Sequence, residues 1–222
     1  MPDKMTLPQI DRRSYPIELR AAGEDGQRRI QGHAAVFNSR SEMIWNYFQE
    51  IILPGAFAEA LGRSDVRALF NHDPNHVLGR TKNNTLELAE DETGLAVDIL
   101  PPDNQFARDL LVSIGRGDID QMSFAFTVAE DRWYTDENEI PVREISKIDK
   151  LYDVSPVTYP AYHETDVSVK SRTSYEEFRA SQPQAVGPDV VTEPSSTEAE
   201  AEARKRQLEL RERSILPMRC KE

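Results

Sequence analysis

Ser123 is the residue around which a reaction can be proposed for this chain. It lies in the stretch Asp118–Phe126, where large and small side chains alternate. A period of two places successive residues on opposite faces of a β-strand. The large apolar residues share one face: Met122, Phe124, Phe126 and Val128. Ser123 lies on the opposite face, among small side chains. The pattern indicates either a serine with no role beyond the strand or a nucleophile that a substrate can approach.

His72 is the histidine best placed to act as a general base. It follows a short apolar predicted strand and stands between Asn71 and Asp73. An imidazole at the end of a strand can take a proton near neutral pH. An ordinary polar turn residue is the alternative, and the sequence alone leaves both open. His33, on a predicted strand, and His163, in a predicted loop, are interpreted as solvated side chains.

A zinc site is the second chemistry that the histidines suggest. His76 lies four residues after His72, a spacing that can hold zinc when both residues are on a helix. Pro74 stands between them and disfavours a regular helix, and no glutamate occupies the position that an H-E-x-x-H motif needs. Cys220 lies in a polar terminal sequence and is not expected to be a nucleophile. No metal and no cofactor are therefore predicted.

Two carboxylates are candidates to complete a serine–histidine pair, Asp153 and Glu144. A hairpin turn centred near Glu137 places a residue near position 151 opposite Ser123, because both lie about 14 residues from the centre. Asp153 is within two residues of that position, whereas Glu144 faces a distant part of the hairpin. The residues expected to share a strand face with Asp153 are Leu151, Ser155 and Val157. The alternatives are a structural Asp153 bonded to backbone amides and an exposed Glu144.

The elements that must hold these residues are mostly strands. Alternating hydrophobicity predicts about seven or eight strands within residues 15–170. The clearest helix is predicted over 104–116, and a shorter one over 54–63. The predicted fold class is α+β, built on a β-barrel or a strongly curved, mostly antiparallel sheet with about two helices.

Composition divides the chain into three parts. Residues 1–14 are predicted to form a flexible arm, and residues 15–170 the folded domain. Residues 171–222 are rich in Ser, Pro, Gln, Glu and Thr and are predicted to be a disordered acidic tail, with a marginal helix near 197–213.

The charge and the missing motifs exclude several classes of function. A net charge of −12 over 222 residues argues against a general nucleic-acid binder, because phosphate contacts need clustered Lys and Arg. The single cysteine gives no disulfide framework. We find no signal peptide, no run of about 18 apolar residues, no glycine-rich phosphate loop and no G-x-S-x-G elbow. A protein of the cytoplasm without nucleic-acid or membrane partners is expected.

Several segments, in this order and spacing, resemble a known family. They are Leu69–Asp73, Val77–Thr81, Gly94–Leu95, Arg116–Ile119, Met122–Phe126 and Leu151–Tyr162. The family is that of the prohead maturation proteases of tailed bacteriophages, serine peptidases distantly related to the herpesvirus assemblins. The resemblance covers about residues 15–170.

The resemblance implies that His72 is the general base and Ser123 the nucleophile. In assemblins the third member is a histidine on a late strand, and this chain has none in the corresponding region, so an acid is expected instead. The hairpin geometry favours Asp153, with Glu144 in reserve. Arg80 is weighed as a helper acting through a water molecule, against an ion pair with a nearby acid.

The resemblance also implies a biological setting. Such proteases are enclosed in the procapsid within the host cytoplasm, cut the scaffolding region of the major capsid protein and digest themselves; the portal is a further expected contact. The predicted tail fits this setting, since an extended protease groove accepts unfolded chain. Two alternatives are a non-enzymatic capsid assembly factor with an acidic scaffolding tail, and a metal hydrolase using His72 and His76.

Overall fold

A computed structural model describes residues 10–16, 20–22, 28–159 and 169–182. The elements in chain order are β1 (Asp11–Pro16), β2 (Arg20–Ala22), β3 (Arg29–Val36), β4 (Gln49–Ile52), α1 (Ala58–Arg63), β5 (Arg67–Phe70), β6 (Asp73–Arg80), β7 (Leu86–Glu90), β8 (Gly94–Ile99), α2 (Gln105–Arg116), β9 (Gln121–Thr135), β10 (Pro141–Val157) and α3 (Val169–Ser181). All of these elements belong to one compact unit. No helix within the described ranges is long and apolar enough to cross a membrane.

The described strands form two sheets. The larger has the order β1-β9-β10-β5-β6, with β4 also paired to β10, and the smaller has the order β2-β3-β8-β7. Pairing is antiparallel except where β4 and β5 run parallel to β10. The α+β class and the mostly antiparallel pairing are confirmed. The barrel alternative is wrong for the described strands, because the larger sheet ends at β1 and β6 without closing.

A shared apolar core joins the two sheets and the first two helices. Leu95 from the smaller sheet, Phe124 from the larger, Phe57 before α1 and Leu110 of α2 all belong to one buried cluster. The alternation of β9 is therefore explained by burial of its large side chains in this core, which fixes the face on which Ser123 lies.

Helix α2 follows the prediction closely, whereas α1 is shorter. The side chain of Asn104 accepts a hydrogen bond from the amide of Ala107 at 2.8 Å and caps the start of α2. Gly117, at φ +79°, ends the helix in the left-handed conformation that glycine adopts freely. The helix predicted over 54–63 begins at Ala58, after a turn that contains Gly55 at φ +87°.

Helix α3 lies partly in the region predicted to be disordered. The described chain remains helical to Ser181, past the predicted boundary at residue 170. Tyr175 stacks on Phe48 with ring centroids 5.4 Å apart, and Trp133 stacks on Phe178 at 5.5 Å. The sequence of α3 is too polar to predict a helix. The aromatic residues that anchor it, Phe48 and Trp133, come from distant parts of the chain. The helix predicted near 197–213 lies outside the described residues.

A buried charge network links α3 to strands β1, β4, β9 and β10 of the larger sheet. Its members are Asp11, Arg13, Glu50, Asp131, Arg143 and Ser171. The Arg143 side chain is 1% exposed and contacts Glu50 at 2.9 Å and Asp131 at 2.5 Å. Burial would raise the pKa of Glu50, but the guanidiniums of Arg13 and Arg143 outweigh it and hold that pKa below its ordinary value.

Candidate active site

The turn between β5 and β6 carries His72. Phe70 pairs with Asp73, so Asn71 and His72 are the two central residues of a tight hairpin. Both have positive φ, 52° and 57°, as type I′ turns require. Asn and His tolerate this region better than most residues, at a cost of about 1–3 kcal/mol each.

Asn71 ties this turn to the end of β10. Its backbone N–H donates to the backbone carbonyl of Pro156 at 3.0 Å. Its side chain donates to Thr158 Oγ1 at 3.1 Å and accepts from the Thr158 amide at 2.9 Å. These three hydrogen bonds hold the backbone beside His72 against β10, the strand that supplies Asp153.

Ser123 lies on β9 between two other serines. It pairs with Ser14 of β1 on one side and Ser155 of β10 on the other. Directly opposed residues of antiparallel strands project to the same face of the sheet. Ser123 and Ser155 are both fully buried.

A β-bulge decides which face Asp153 occupies. Leu151 pairs with Phe126, but Asp153 pairs with Ala125, so Tyr152 is an extra residue in β10. The bulge turns Leu151 to the core face of Phe126 and leaves Asp153 on the face of Ser123. The expectation that Leu151 and Asp153 share a face is therefore wrong.

The bulges also shift the register of the hairpin. The residue opposite Ser123 is Ser155, four positions beyond the expected 151. The turn joins Thr135 to Pro141 and is thus centred one residue later than Glu137, and the irregularities along β10 supply the remaining displacement. Sequence reasoning had no signal for these irregularities, because they depend on how the two strands pack.

One side chain from the β5–β6 turn and two from strands β9 and β10 meet in a chain of hydrogen bonds. His72 Nε2 is 2.7 Å from Ser123 Oγ, and His72 Nδ1 is 2.5 Å from Asp153 Oδ1. The His72 and Asp153 side chains are 12% and 11% exposed. With Asp153 ionised, the Nδ1 proton is donated to the carboxylate, which leaves Nε2 free to accept the proton of Ser123. The arrangement can therefore activate a hydroxyl as a nucleophile.

The reserve acid lies elsewhere. Glu144 pairs with Arg132 across the hairpin and forms an ion pair with it. Its side chain is 16% exposed, so the expectation of an exposed strand residue is also wrong. Among the described residues, the carboxylate that contacts His72 is that of Asp153.

The other candidate residues have partners outside this cluster. Arg80 donates to Asp65 at 2.8 Å, and hydrogen bonding to Arg80 lowers the pKa of Asp65 to about 2. The ion pair considered for Arg80 is thus present. His76 Nδ1 lies 2.9 Å from Asp73, and the ring packs on Phe106 with centroids 4.4 Å apart.

The two histidines weighed for zinc bind different carboxylates. Within the described ranges, no three His, Cys, Asp or Glu side chains are grouped as metal ligands would be. His33 is paired with Asp91 at 2.7 Å and is only partly solvated. His163 and Cys220 lie outside the described residues.

Sequence reasoning missed roles for two residues at the site. Asn71 was treated only as a neighbour of His72, and Ser155 only as a residue on the face of Asp153. An Asn–His pair at a hairpin turn is a usable signal, since both residues accept positive φ. For Ser155 the only signal is that it follows Asp153 by two residues, a spacing that places both side chains on the same face of a strand.

Comparison with known proteins gives consistent matches over the same region. Residues 15–180 match the family described as caudovirus prohead serine protease. The chain is 34% identical over 168 residues to the prohead protease of Enterobacteria phage HK97, covering 73% of this chain and 69% of the relative. Among solved structures, the capsid assembly protease gp21 of bacteriophage T4 aligns with a TM-score of 0.45 at 10% identity, covering 70% of this chain and all of that one.

Proposed function

Because the chain belongs to the caudovirus prohead serine protease family, we propose that His72, Ser123 and Asp153 are the catalytic triad of a serine endopeptidase. The observation that carries the proposal is the continuous contact from Asp153 through His72 to Ser123, at 2.5 Å and 2.7 Å. The family supports the proposed reaction class, and the contact supports the proposed choice of residues.

The proposed mechanism follows from these contacts. Nε2 of His72 takes the proton of Ser123 as Oγ bonds to the carbonyl carbon of a peptide. Asp153 orients the ring and stabilises the imidazolium that forms. The imidazolium then gives its proton to the leaving amine as the C–N bond breaks, and water hydrolyses the acyl-enzyme by the same route in reverse.

Access to the nucleophile is a separate requirement. Ser123 is fully buried, whereas His72 retains partial exposure. A peptide carbonyl reaches Oγ only after the groups that cover Ser123 move aside. In the conformation described here, the three side chains are aligned and the approach to Ser123 is closed.

The substrates we propose are the scaffolding region of the major capsid protein and this chain itself. The family is one of prohead proteases, and the HK97 relative carries the same description. Cleavage would take place inside the procapsid in the host cytoplasm, with the portal as a neighbouring component. Enclosure of the enzyme with its substrate raises their effective concentration, so weak binding of each cleavage site is sufficient.

Co-expression with the major capsid protein of the same phage tests this function. Wild type is expected to shorten the capsid protein and itself, and Ser123→Ala is expected to leave both at full length, as measured by intact-mass spectrometry. Ser113→Ala, on α2, is the matched control and should process both proteins as wild type does. Capsid protein that matures equally with Ser123→Ala would instead indicate a non-enzymatic assembly factor.

A further inference from the structure

We propose that Ser155 is a positioning residue that holds the Asp153 carboxylate in line with His72. This inference rests on the proposed function, since it concerns the same triad. Ser155 Oγ donates to Asp153 Oδ1 at 2.9 Å, and Ser155 is fully buried. The acceptor is the same oxygen that His72 Nδ1 contacts at 2.5 Å.

The local backbone explains why Asp153 needs this support. Asp153 stands directly after the bulge at Tyr152, where the regular ladder to β9 is interrupted. Leu151, two residues before Asp153, lies on the other face, so the same-face residue that a regular strand would place on that side of Asp153 is missing. Ser155, two residues along the same strand and on the same face, supplies a fixed donor.

The hydroxyl of Ser155 has one proton, and the geometry assigns it to Asp153. Ser155 Oγ is 3.5 Å from His72 Nδ1, a long contact compared with 2.9 Å to the carboxylate. The Nδ1 proton points to Asp153, so the ring offers Ser155 no acceptor. Ser155 therefore acts on His72 only through Asp153.

The register places Ser155 at the centre of the proposed triad. It is the direct cross-strand partner of Ser123, so the two Cβ atoms stand about 5 Å apart on one face. Nucleophile, positioning hydroxyl and acid are thus carried by one two-stranded segment, and only His72 comes from another hairpin. Holding two of the three triad members on one rigid ladder keeps their separation constant.

A second buried serine offers a matched control. Ser171 Oγ donates to Asp11 Oδ2 at 2.8 Å and is also buried, but it belongs to the buried charge network. Removing its hydroxyl deletes this serine–carboxylate hydrogen bond, together with the one that Ser171 Oγ accepts from Arg143 Nη1 at 2.8 Å, without touching the triad. Effects common to both serines report on stability, and effects confined to Ser155 report on positioning.

The test measures the rate at which a fluorophosphonate probe, which reacts with activated serines, labels the full-length protein. Wild type should be labelled at Ser123, and Ser123→Ala should not. Ser155→Ala should be labelled about 10-fold more slowly, the effect of losing one hydrogen bond to a charged group. Ser171→Ala should keep the wild-type rate. Ser155→Cys, which keeps the volume but donates weakly, should fall between Ser155→Ala and wild type.

A double-mutant cycle separates positioning from general structure. In an Asp153→Ala background, Ser155→Ala should change the labelling rate less than about 2-fold, because the group through which Ser155 acts is already gone. An unchanged rate in Ser155→Ala, or the same 10-fold loss in both backgrounds, overturns the role of Ser155. Equal labelling of wild type and Ser123→Ala overturns the proposed triad itself, and the inference with it.

Discussion

The larger sheet carries two buried polar clusters on opposite faces. On β1 and β9, Asp11 and Arg13 pair with Phe126 and Phe124, so this part of the buried charge network faces away from Ser123. Each cluster contains a serine that donates to a carboxylate, Ser155 to Asp153 and Ser171 to Asp11. Burial and hydrogen bonding therefore do not distinguish the two.

The clusters differ in what their cations can do. In the buried charge network the cations are arginines, which stay protonated at any physiological pH and neutralise the neighbouring acids. In the proposed triad the acid meets a histidine, which can gain and lose a proton, and the histidine meets a hydroxyl. A polar cluster therefore becomes a candidate for catalysis through a transferable proton and not through burial alone.

The largest expected effect breaks the triad while sparing the fold. His72→Ala should lower the rate of capsid-protein processing at least about 10⁴-fold, because Ser123 loses the group that takes its proton. The thermal unfolding midpoint should stay within a few degrees of wild type. His33→Ala, which loses only its pairing with Asp91, is the control and should process at the wild-type rate. Processing that survives in His72→Ala would contradict the assigned role.

Breaking the buried charge network should have the opposite outcome. Arg143→Met leaves Asp131 without this cation and Glu50 with Arg13 alone, and should reduce the free energy of unfolding by about 3–5 kcal/mol, measured by urea denaturation. The probe-labelling rate of the folded fraction should not change.

The neighbouring surface pair provides the control for that measurement. Arg132, 73% exposed, pairs with Glu144 on the same hairpin, and Arg132→Met should cost less than about 1 kcal/mol. Equal losses in the two variants would show that the buried charge network contributes no more than a surface ion pair.

Asn71 contacts neither cluster directly, yet it shares a tight turn with His72. Asn71→Ala should slow probe labelling about 10-fold, since the turn loses two side-chain hydrogen bonds to Thr158 and a residue suited to positive φ. Asn71→Gly keeps the backbone freedom and isolates the loss of the hydrogen bonds. A wild-type rate in both variants would remove Asn71 from the account of the site.

The smallest effect is expected at the reserve acid. Glu144→Gln should change probe labelling less than 2-fold, because Glu144 contacts Arg132 and lies outside the hydrogen-bonded chain. Asp153→Asn, the corresponding change at the assigned acid, should slow labelling at least about 10³-fold. If the two results were exchanged, the third member of the triad would have to be reassigned.

The sequence was sufficient where the physical cause is local. Alternation along β9 indicated the face of Ser123, because a strand repeats every two residues whatever it packs against. The apolar face of α2 and the residues that cap its two ends could likewise be recognised in one continuous segment of the sequence. The strand end beside His72 followed from the same kind of local reasoning. Asp153 was chosen from an assumed hairpin register that differs from the observed one by four positions, and the structure brings His72 and Asp153 into contact.

Only the tertiary structure decided what depends on residues far apart in the chain. The bulge at Tyr152 set the face of Asp153 and made Ser155 the partner of Ser123, since strand register is settled by the packing of both faces at once. Helix α3 is anchored by Phe48 and Trp133, which its own sequence does not contain. Short-range periodicity specifies which side of an element is buried, but the alignment of one element against another is fixed only when the whole core is assembled.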